Sequence, residues 1–295
     1  MLEEPAALRR VHWDTCTVNV AVVGHTEWIW FGAVARIPRP GEIAHATGDL
    51  EEPGGGGAVA AVQLAKLAGE CDFFTAVGED AFAERTRDRL AAFGVQVHAA
   101  ARPGPSRRAL TLVDATGERT ITTLGPRLTP HADDPSPWDQ LAAADAVFVT
   151  AGDAGAFAHA RSARTLVVTT RVLDALIASG VQADALVGSA RDAAERVDVG
   201  ALATRPGLVV RTEGPEGGSF VTADGTGRFE AVAADAPPDP GADAYGAGDS
   251  FAAGLTFALG QGRSPADALA LAARCGAACA AGAGPYARQL TASDL

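Results

Sequence analysis

Residues 243–251 read D-A-Y-G-A-G-D-S-F, and an apolar run of helical period, 252–260, follows directly. Gly246 and Gly248 tolerate backbone angles that other residues resist, and they let the backbone approach a ligand closely. A glycine turn at a helix N-terminus directs amide groups and the positive end of the helix dipole to one place, which favours an anion. Asp249 in this turn is therefore either a helix cap or a general base facing a phosphoryl group.

Around this motif, short apolar runs rich in β-branched residues alternate with longer Ala- and Leu-rich segments of helical period. This alternation predicts an α/β fold with a mainly parallel central β-sheet flanked by helices. The predicted strands are 18–23, 71–76, 146–150, 165–170, 185–187 and 208–212. The predicted helices are 58–68, 82–93, 154–163, 250–260 and 265–280.

Two stretches break the alternation, 28–48 and 107–123, and the second contains a turn at 115–118 between alternating strands. We expect them to form a small antiparallel sheet that acts as a lid over a cleft at one edge of the central sheet. No long linker divides the chain, so residues 1–295 are interpreted as one domain. Because open sheet edges invite pairing, the lid is also the candidate surface for a homodimer.

Composition narrows the classes of partner. The 295 residues are 47% hydrophobic and 20% charged, as in globular proteins. A net charge of -12 would repel nucleic acid and anionic lipid, so we expect a small-molecule substrate and neither of those partners. Residues 1–10 lack an apolar core segment, so we expect a cytoplasmic location. The one lysine, Lys66, precedes a leucine, so the chain has no G-x-x-x-x-G-K-[ST] phosphate loop.

A second glycine-rich helix entry, P-G-G-G-G at 53–57, lies early in the chain. With D-A-Y-G-A-G-D at 243–249, it makes the sequence resemble the ribokinase-like, or PfkB, family of carbohydrate kinases, which carries an early Gly-Gly signature and a late D-T-x-G-A-G-D signature. Matching turns extend the resemblance over nearly the whole chain. They are Val23-Gly24, 38–42, 77–80, 117–120 and 212–217. Matching context of this kind identifies a motif better than a lone pattern does.

The resemblance implies transfer of the γ-phosphoryl group of ATP to a hydroxyl of a sugar or sugar-like substrate, with Mg²⁺ and with K⁺ as a candidate second cation. In that scheme Asp249 accepts the hydroxyl proton, and the backbone of its turn stabilises charge on the phosphoryl oxygens. The turn residues are Gly246, Ala247 and Gly248. The other implied residues are Thr212, Gly214 and Gly217 beside the nucleotide, Asp192 and Asp243 at metal ions, and Gly55 and Gly56 at the substrate.

The substrate end departs from the family pattern. The Asp that grips sugar hydroxyls in relatives corresponds to Ile29, and an apolar side chain leaves a hydroxyl unpaired at a cost of about 1–3 kcal/mol. The amide that ends the glycine signature becomes Ala60. The N-x-x-E motif that organises Mg²⁺ becomes S-A-R-D at 189–192, which keeps only the shortened acid of Asp192. These changes predict an altered substrate pocket.

Side chains at the carboxyl ends of strands are the candidates to compensate, because α/β sheets bind ligands there. They are His25, Glu27, Trp28, Asp153 and Arg171. One alternative function is a nucleoside kinase in which Trp28 or Tyr245 stacks on a base. Another is a ligand-binding or regulatory protein that keeps the fold and has lost catalysis. The retained Asp249 and its glycine turn favour an enzyme.

Overall fold

The computed structural model describes residues 18–196, 200, 202 and 204–295. The strands, in chain order, are β1 (Val20–Val23), β2 (Glu27–Ala33), β3 (Gly48–Gly54), β4 (Cys71–Val77), β5 (Val95–Ala101), β6 (Arg108–Val113), β7 (Arg119–Leu124), β8 (Ala146–Val149), β9 (Thr165–Thr169), β10 (Ala185–Ser189), β11 (Leu208–Thr212), β12 (Gly218–Thr222) and β13 (Gly225–Phe229). The helices are α1 (Gly56–Ala68), α2 (Ala81–Ala91), α3 (Ala154–Ala160), α4 (Leu173–Ser179), α5 (Ala247–Gly260) and α6 (Pro265–Ala280).

The described strands form a central sheet of nine, in the order β13-β12-β11-β10-β9-β8-β1-β4-β5. Neighbouring strands from β11 through to β5 pair in parallel, and the antiparallel pairs join β11 to β12 and β12 to β13. The predicted mainly parallel α/β sheet is therefore confirmed. Its strands are mostly apolar because helices bury both faces.

Successive side chains of a strand point to opposite faces, and β1 shows how this builds three layers. Val20 and Val22 belong to the core under α1, α5 and α6. Ala21 and Val23 belong to the core on the other face, under α3 and α4. Ser264 caps α6, since its side chain accepts a hydrogen bond from the amide of Asp267. The central sheet thus supplies a rigid support for the loops at its strand ends.

The sequence prediction missed β5 and the hairpin of β12 and β13. β5 and β13 are the two edge strands of the central sheet, β12 lies next to β13, and much of the surface of all three is exposed or half-buried. An edge strand does not need the continuous apolar run that marks a strand buried on both faces. The helix starts were also misplaced, since α1 begins at Gly56 and α5 at Ala247, both inside the glycine motifs.

The remaining four strands form a separate sheet, in the order β3-β2-β6-β7, which is the lid. The expectation of an antiparallel sheet is wrong for its central pair, because β2 and β6 pair in parallel. They are not joined by a short hairpin, and only such a connection forces neighbouring strands to be antiparallel. The predicted boundary at residue 48 is also wrong, since β3 begins at Gly48 and residues 34–47 contain no strand.

The outer face of the lid carries exposed apolar side chains. Trp30 is 55% exposed, and the strand register places it beside Leu110, which is 39% exposed. A homodimer through this face stays a prediction. Among the described residues, no helix combines the length and the apolar character that crossing a membrane requires. Residues 1–10, on which the expected lack of a targeting segment rested, lie outside the described residues.

Candidate active site

The two glycine motifs, far apart in sequence, lie side by side in the structure. The amide of Gly55, just before α1, donates a hydrogen bond to the hydroxyl of Tyr245 at 2.9 Å. Deeper in the core, Nε2 of Gln289 donates to the Val59 carbonyl and to the Ser250 hydroxyl, each at 3.0 Å. These buried contacts fix the N-termini of α1 and α5 at one place, as two facing anion sites would require.

The turn before α5 leaves its helix N-terminus free for a ligand. Gly246 is the N-cap, with a φ of 79°, a left-handed conformation that favours glycine. No side chain caps α5, and a Cβ added to Gly248 would meet nothing within 4 Å. Asp249 lies inside the first turn of the helix, so the interpretation of Asp249 as a helix cap is wrong. The uncapped amides suit a phosphoryl group.

Asp249 faces the N-terminus of α1 across a very short gap. A Cβ added to Gly56 would lie 2.8 Å from Oδ1 of Asp249, so this approach needs glycine. Burial raises the pKa of Asp249 to about 6, and the negative charge of Glu195 adds to the effect. A carboxyl group that titrates close to neutral pH is suited to accept and release a proton.

One cleft of about 1180 Å³ brings most of the predicted site residues together. It is bounded by the ends of the central strands, the N-termini of α1 and α5, and the lid. The predicted residues that line it are Glu27, Gly55, Gly56, Arg171, Asp192, Thr212, Gly214, Gly217, Gly246, Ala247, Gly248 and Asp249. A cleft of this size has room for two substrates, which a group transfer requires.

The residues predicted to lie beside a nucleotide line the edge of the cleft formed by β11. Thr212 ends the strand, and Gly214 and Gly217 follow in a tight turn, with φ angles of 67° and 78°. The side chain of Arg191 lies against Gly214, where an added Cβ would come within 2.7 Å of its Nη1. The turn at Gly217 is packed closely against the backbone of Phe229 and Ala231, so both glycines are required by their surroundings.

The model of the pfkB family carbohydrate kinases matches residues 18–175 and 171–291 of this sequence. The chain belongs to this family. A microbiome-derived acarbose kinase is similar in structure, with a TM-score of 0.77 at 22% identity over 95% of this chain and 98% of that chain. Ribokinase from Thermotoga maritima gives a TM-score of 0.72 at 19% identity over 94% and 97%.

Ribokinase from Arabidopsis thaliana, solved with ribose and ATP, gives a TM-score of 0.70 at 19% identity, covering 94% of this chain and 97% of that chain. A comparison with curated proteins gave no significant match. At these identities the likeness shows the ribokinase-like fold, with its large sheet and separate lid.

Two predicted substrate residues of this pfkB protein lie outside the cleft. Trp28 points to the outer face of the lid, where its Nε1 donates to Glu51 at 2.7 Å and Arg85 stacks on its ring at 4.2 Å. The reason is the alternation of a strand, which sends the neighbouring Glu27 inward. Asp153 caps α3 instead, with Oδ1 accepting from the amide of Ala156 at 2.8 Å. Both assignments are corrected accordingly.

Asp243 is held inside the protein rather than at the cleft surface. Its Oδ1 accepts from the amide of Tyr245 at 2.7 Å, and its Oδ2 accepts from the amide of Gly284 at 2.9 Å. The carboxylate therefore braces the turn that carries Asp249. Its predicted role at a cation stays a prediction, and in the described chain no group of three or more His, Cys, Asp or Glu side chains could hold a metal ion.

Arg171 lies in the cleft but already has acidic partners. Its Nη2 donates to both Asp192 and Glu195. Glu195 also accepts from the amide of Ser189 at 2.7 Å and acts on the pKa of Asp249, and the sequence analysis missed it. The sequence feature that could have identified Glu195 is its position, three residues after Asp192. Two carboxylates at a phosphate site suit Mg²⁺, which commonly binds one or two carboxylates together with substrate phosphates.

The end of the cleft under the lid contains His25, a candidate of the sequence analysis, together with polar side chains that the sequence analysis did not assign. His25 is 7% exposed, and its Nδ1 has no hydrogen-bond partner in the structure. Thr150 is equally buried, and its Oγ1 is also unpartnered. Arg107 pairs with Glu27 at 2.7 Å, and Arg127 lines the same end. Buried polar groups without partners in a cleft are typical of a ligand site.

Proposed function

We propose that this pfkB family protein is an ATP-dependent kinase that transfers the γ-phosphoryl group to a hydroxyl of a sugar or sugar-like substrate. The observation that carries the proposal is Asp249, a carboxylate with its pKa raised to about 6 beside the uncapped N-terminus of α5. A base needs a pKa near the working pH, and a developing phosphoryl charge needs fixed donors. Both requirements are met within one helical turn.

In the proposed reaction, the hydroxyl oxygen of the acceptor attacks the γ-phosphorus of ATP, and Asp249 accepts the proton of that hydroxyl. The amides of Gly246, Ala247 and Gly248 stabilise charge on the transferred group, and ADP leaves. Asp192 and Glu195 would hold Mg²⁺, which neutralises phosphate charge when bound. The nucleotide would lie along Thr212, Gly214 and Gly217. Support for ATP comes from the Arabidopsis thaliana ribokinase, which was solved with it.

The nucleoside alternative loses one of its two candidate rings, because Trp28 lies on the outer face of the lid. Tyr245 lines the cleft, and its ring packs edge-on against Phe31 with centroids 5.1 Å apart. Nucleosides therefore belong in the panel of acceptors that tests the proposal. A purely ligand-binding protein would gain nothing from a carboxylate at an anion site, since an ionised Asp249 repels the phosphate that the amides attract.

The test is an ADP-release assay with Mg²⁺, ATP and K⁺ across sugars, polyols, sugar acids, sugar phosphates and nucleosides. Turnover should fall by roughly a thousandfold in Asp249→Asn, while that variant still binds ATP. Asp224→Asn, an exposed acid in the β12–β13 turn, is the matched control and should keep wild-type turnover. The wild-type rate should rise as pH increases through about 6, because only ionised Asp249 accepts a proton. Near-normal turnover of Asp249→Asn would contradict the proposal.

A further inference from the structure

Arg127, in the segment after β7, is a cation without a counter-ion. It lines the cleft, and within the described residues its side chain has neither a hydrogen bond nor an ion pair. The nearby arginines are different, since Arg107 pairs with Glu27 and Arg171 with two carboxylates. Arg127 is exposed at the cleft, so its guanidinium is available to an anion bound there.

Arg127 is partly exposed to solvent, and the charges that act most strongly on it are of its own sign. The pKa of its guanidinium is lowered, first by burial and then by the positive charges of Arg107 and Arg171, whereas Glu27 acts in the opposite direction more weakly. The chain carries a net charge of -12, so a local excess of positive charge is not its general tendency. An anion bound at Arg127 would remove the repulsion between the arginines.

His25 is the second, independent sign of a ligand at this place. It lines the same end of the cleft, is more than nine-tenths buried, and has an unpartnered Nδ1. Burial lowers its pKa to about 3, and the charge of Arg127 is the next largest cause. The ring is therefore neutral at physiological pH, and a neutral imidazole beside an arginine can hydrogen-bond to a polar ligand without adding charge.

We infer that the acceptor substrate is an anionic polyol, a sugar acid or a sugar phosphate, whose carboxylate or phosphate pairs with Arg127 while its reacting hydroxyl lies at Asp249. The inference rests on the proposed function and names its substrate class. His25 and Thr150 would hydrogen-bond to the middle of such a molecule. Ile29 brings no carboxylate to this end, so nothing at that position repels an anion.

The ATP phosphates are the other anions that Arg127 could meet, but the placement of charges favours the acceptor. Arg127 acts on His25 and Glu27, next to the lid. The arginines that act most strongly on Asp249, where the phosphoryl group is transferred, are Arg171 and Arg119. Substitution of Arg127 should therefore change the KM of the acceptor and leave the KM of ATP unchanged.

The first experiment compares sugar acids, sugar phosphates and the matching neutral sugars as acceptors for the wild type, Arg127→Gln and Arg127→Lys. We expect turnover on an anionic member and much less on its neutral counterpart. Arg127→Gln should raise the KM for that anion roughly ten- to a hundredfold, since a charge-assisted hydrogen bond is lost, with little change in kcat. Arg127→Lys keeps the charge and should restore part of the affinity.

Arg108→Gln is the matched control. Arg108 is exposed on the outer face of the lid, near the ring of Phe82, so its removal changes the net charge equally without reaching the cleft. Its KM values should equal those of the wild type. The inference is wrong if the wild type turns over neutral sugars as well as their anionic counterparts and Arg127→Gln has the same KM values as the wild type.

A binding measurement separates this inference from the proposed function. Calorimetry on Asp249→Asn with the same acids, phosphates and neutral sugars detects acceptor binding without turnover. Suppose that an anion binds to Asp249→Asn and that adding Arg127→Gln abolishes the binding, while the wild type turns over no acceptor. This result would support an anion site at Arg127 and overturn the proposed kinase activity. Turnover confined to neutral sugars would support the proposed kinase activity and overturn the inference of an anionic acceptor. Which anion binds more tightly distinguishes a carboxylate from a phosphate, and no preference for either over neutral sugars would overturn the inference.

Discussion

The two ends of the cleft are built in different ways. The end at the N-termini of α1 and α5, where we propose that the phosphoryl group is transferred, is called the phosphoryl end. The groups that it presents are mostly backbone amides, and the contact between Gly55 and Tyr245 joins the two N-termini. The end under the lid, where we infer that the acceptor binds, is called the acceptor end. The groups that it presents are side chains from several separate segments, among them His25, Thr150 and Arg127. The first end keeps the pattern of the pfkB family, and the second departs from it.

This difference shows why one end tolerates so little change. A backbone amide is aimed by the local chain conformation, which depends on glycine at a few fixed positions such as Gly246 and Gly56. A side chain such as His25 or Arg127, in a segment outside the strands, can be exchanged while the neighbouring strands stay the same. Substrate choice can therefore change under the lid without disturbing phosphoryl transfer.

Gly56→Ala should have the largest effect on kcat of the substitutions that distinguish the two ends of the cleft. The new Cβ would lie 2.8 Å from Oδ1 of Asp249 and would displace the base. Because alanine favours a helix, α1 should keep its fold while kcat falls roughly ten- to a hundredfold. Gly48→Ala, where an added Cβ meets nothing within 4 Å, is the control for steady-state kinetics. Equal kcat values in the two variants would show that the close approach at Gly56 is unimportant.

The same difference decides how much the sequence could predict. The parallel strands of the core and most of the helices follow from alternating apolar segments, and the turn from Gly246 to Asp249 follows from its glycines, so these were found. The substrate residues were predicted from their place after a strand, which does not say where a side chain points. Trp28 and Glu27 are neighbours on β2, yet they face opposite sides of the lid.

One residue at each end, Arg127 and Glu195, was missed for a related reason. Arg127 lies in a segment without regular structure, and Glu195 in a short turn after β10, so no periodicity marks either residue. Their importance comes from contacts with residues far along the chain, as in the effect of Glu195 on the pKa of Asp249. Such pairings depend on the packing of the whole domain and have no local signal in the sequence.

Ile29→Asp tests whether the acceptor end can be returned to the family pattern by one residue. Ile29 is fully buried, and its Cδ1 packs closely on Gly54 under the lid. An unpaired carboxylate there should destabilise the protein by about 3–5 kcal/mol, measured by urea denaturation, with no gain in turnover on neutral sugars. Ile29→Val, which stays apolar, should cost only about 1 kcal/mol. A stable Ile29→Asp protein that phosphorylates neutral sugars would show that the pocket differs from the family at that position alone.

Asp153→Ala should have the smallest effect and marks the boundary of the acceptor end. Its carboxylate accepts from the amides of Ala156 and Ala132, and loss of this cap should lower the free energy of unfolding by about 1 kcal/mol. Asp153→Ser keeps a capping oxygen and should recover most of that loss. Because the side chain lies outside the cleft, the KM of the acceptor should be the same in both variants. A raised KM in Asp153→Ala at unchanged stability would instead place Asp153 at the substrate and extend the acceptor end to α3.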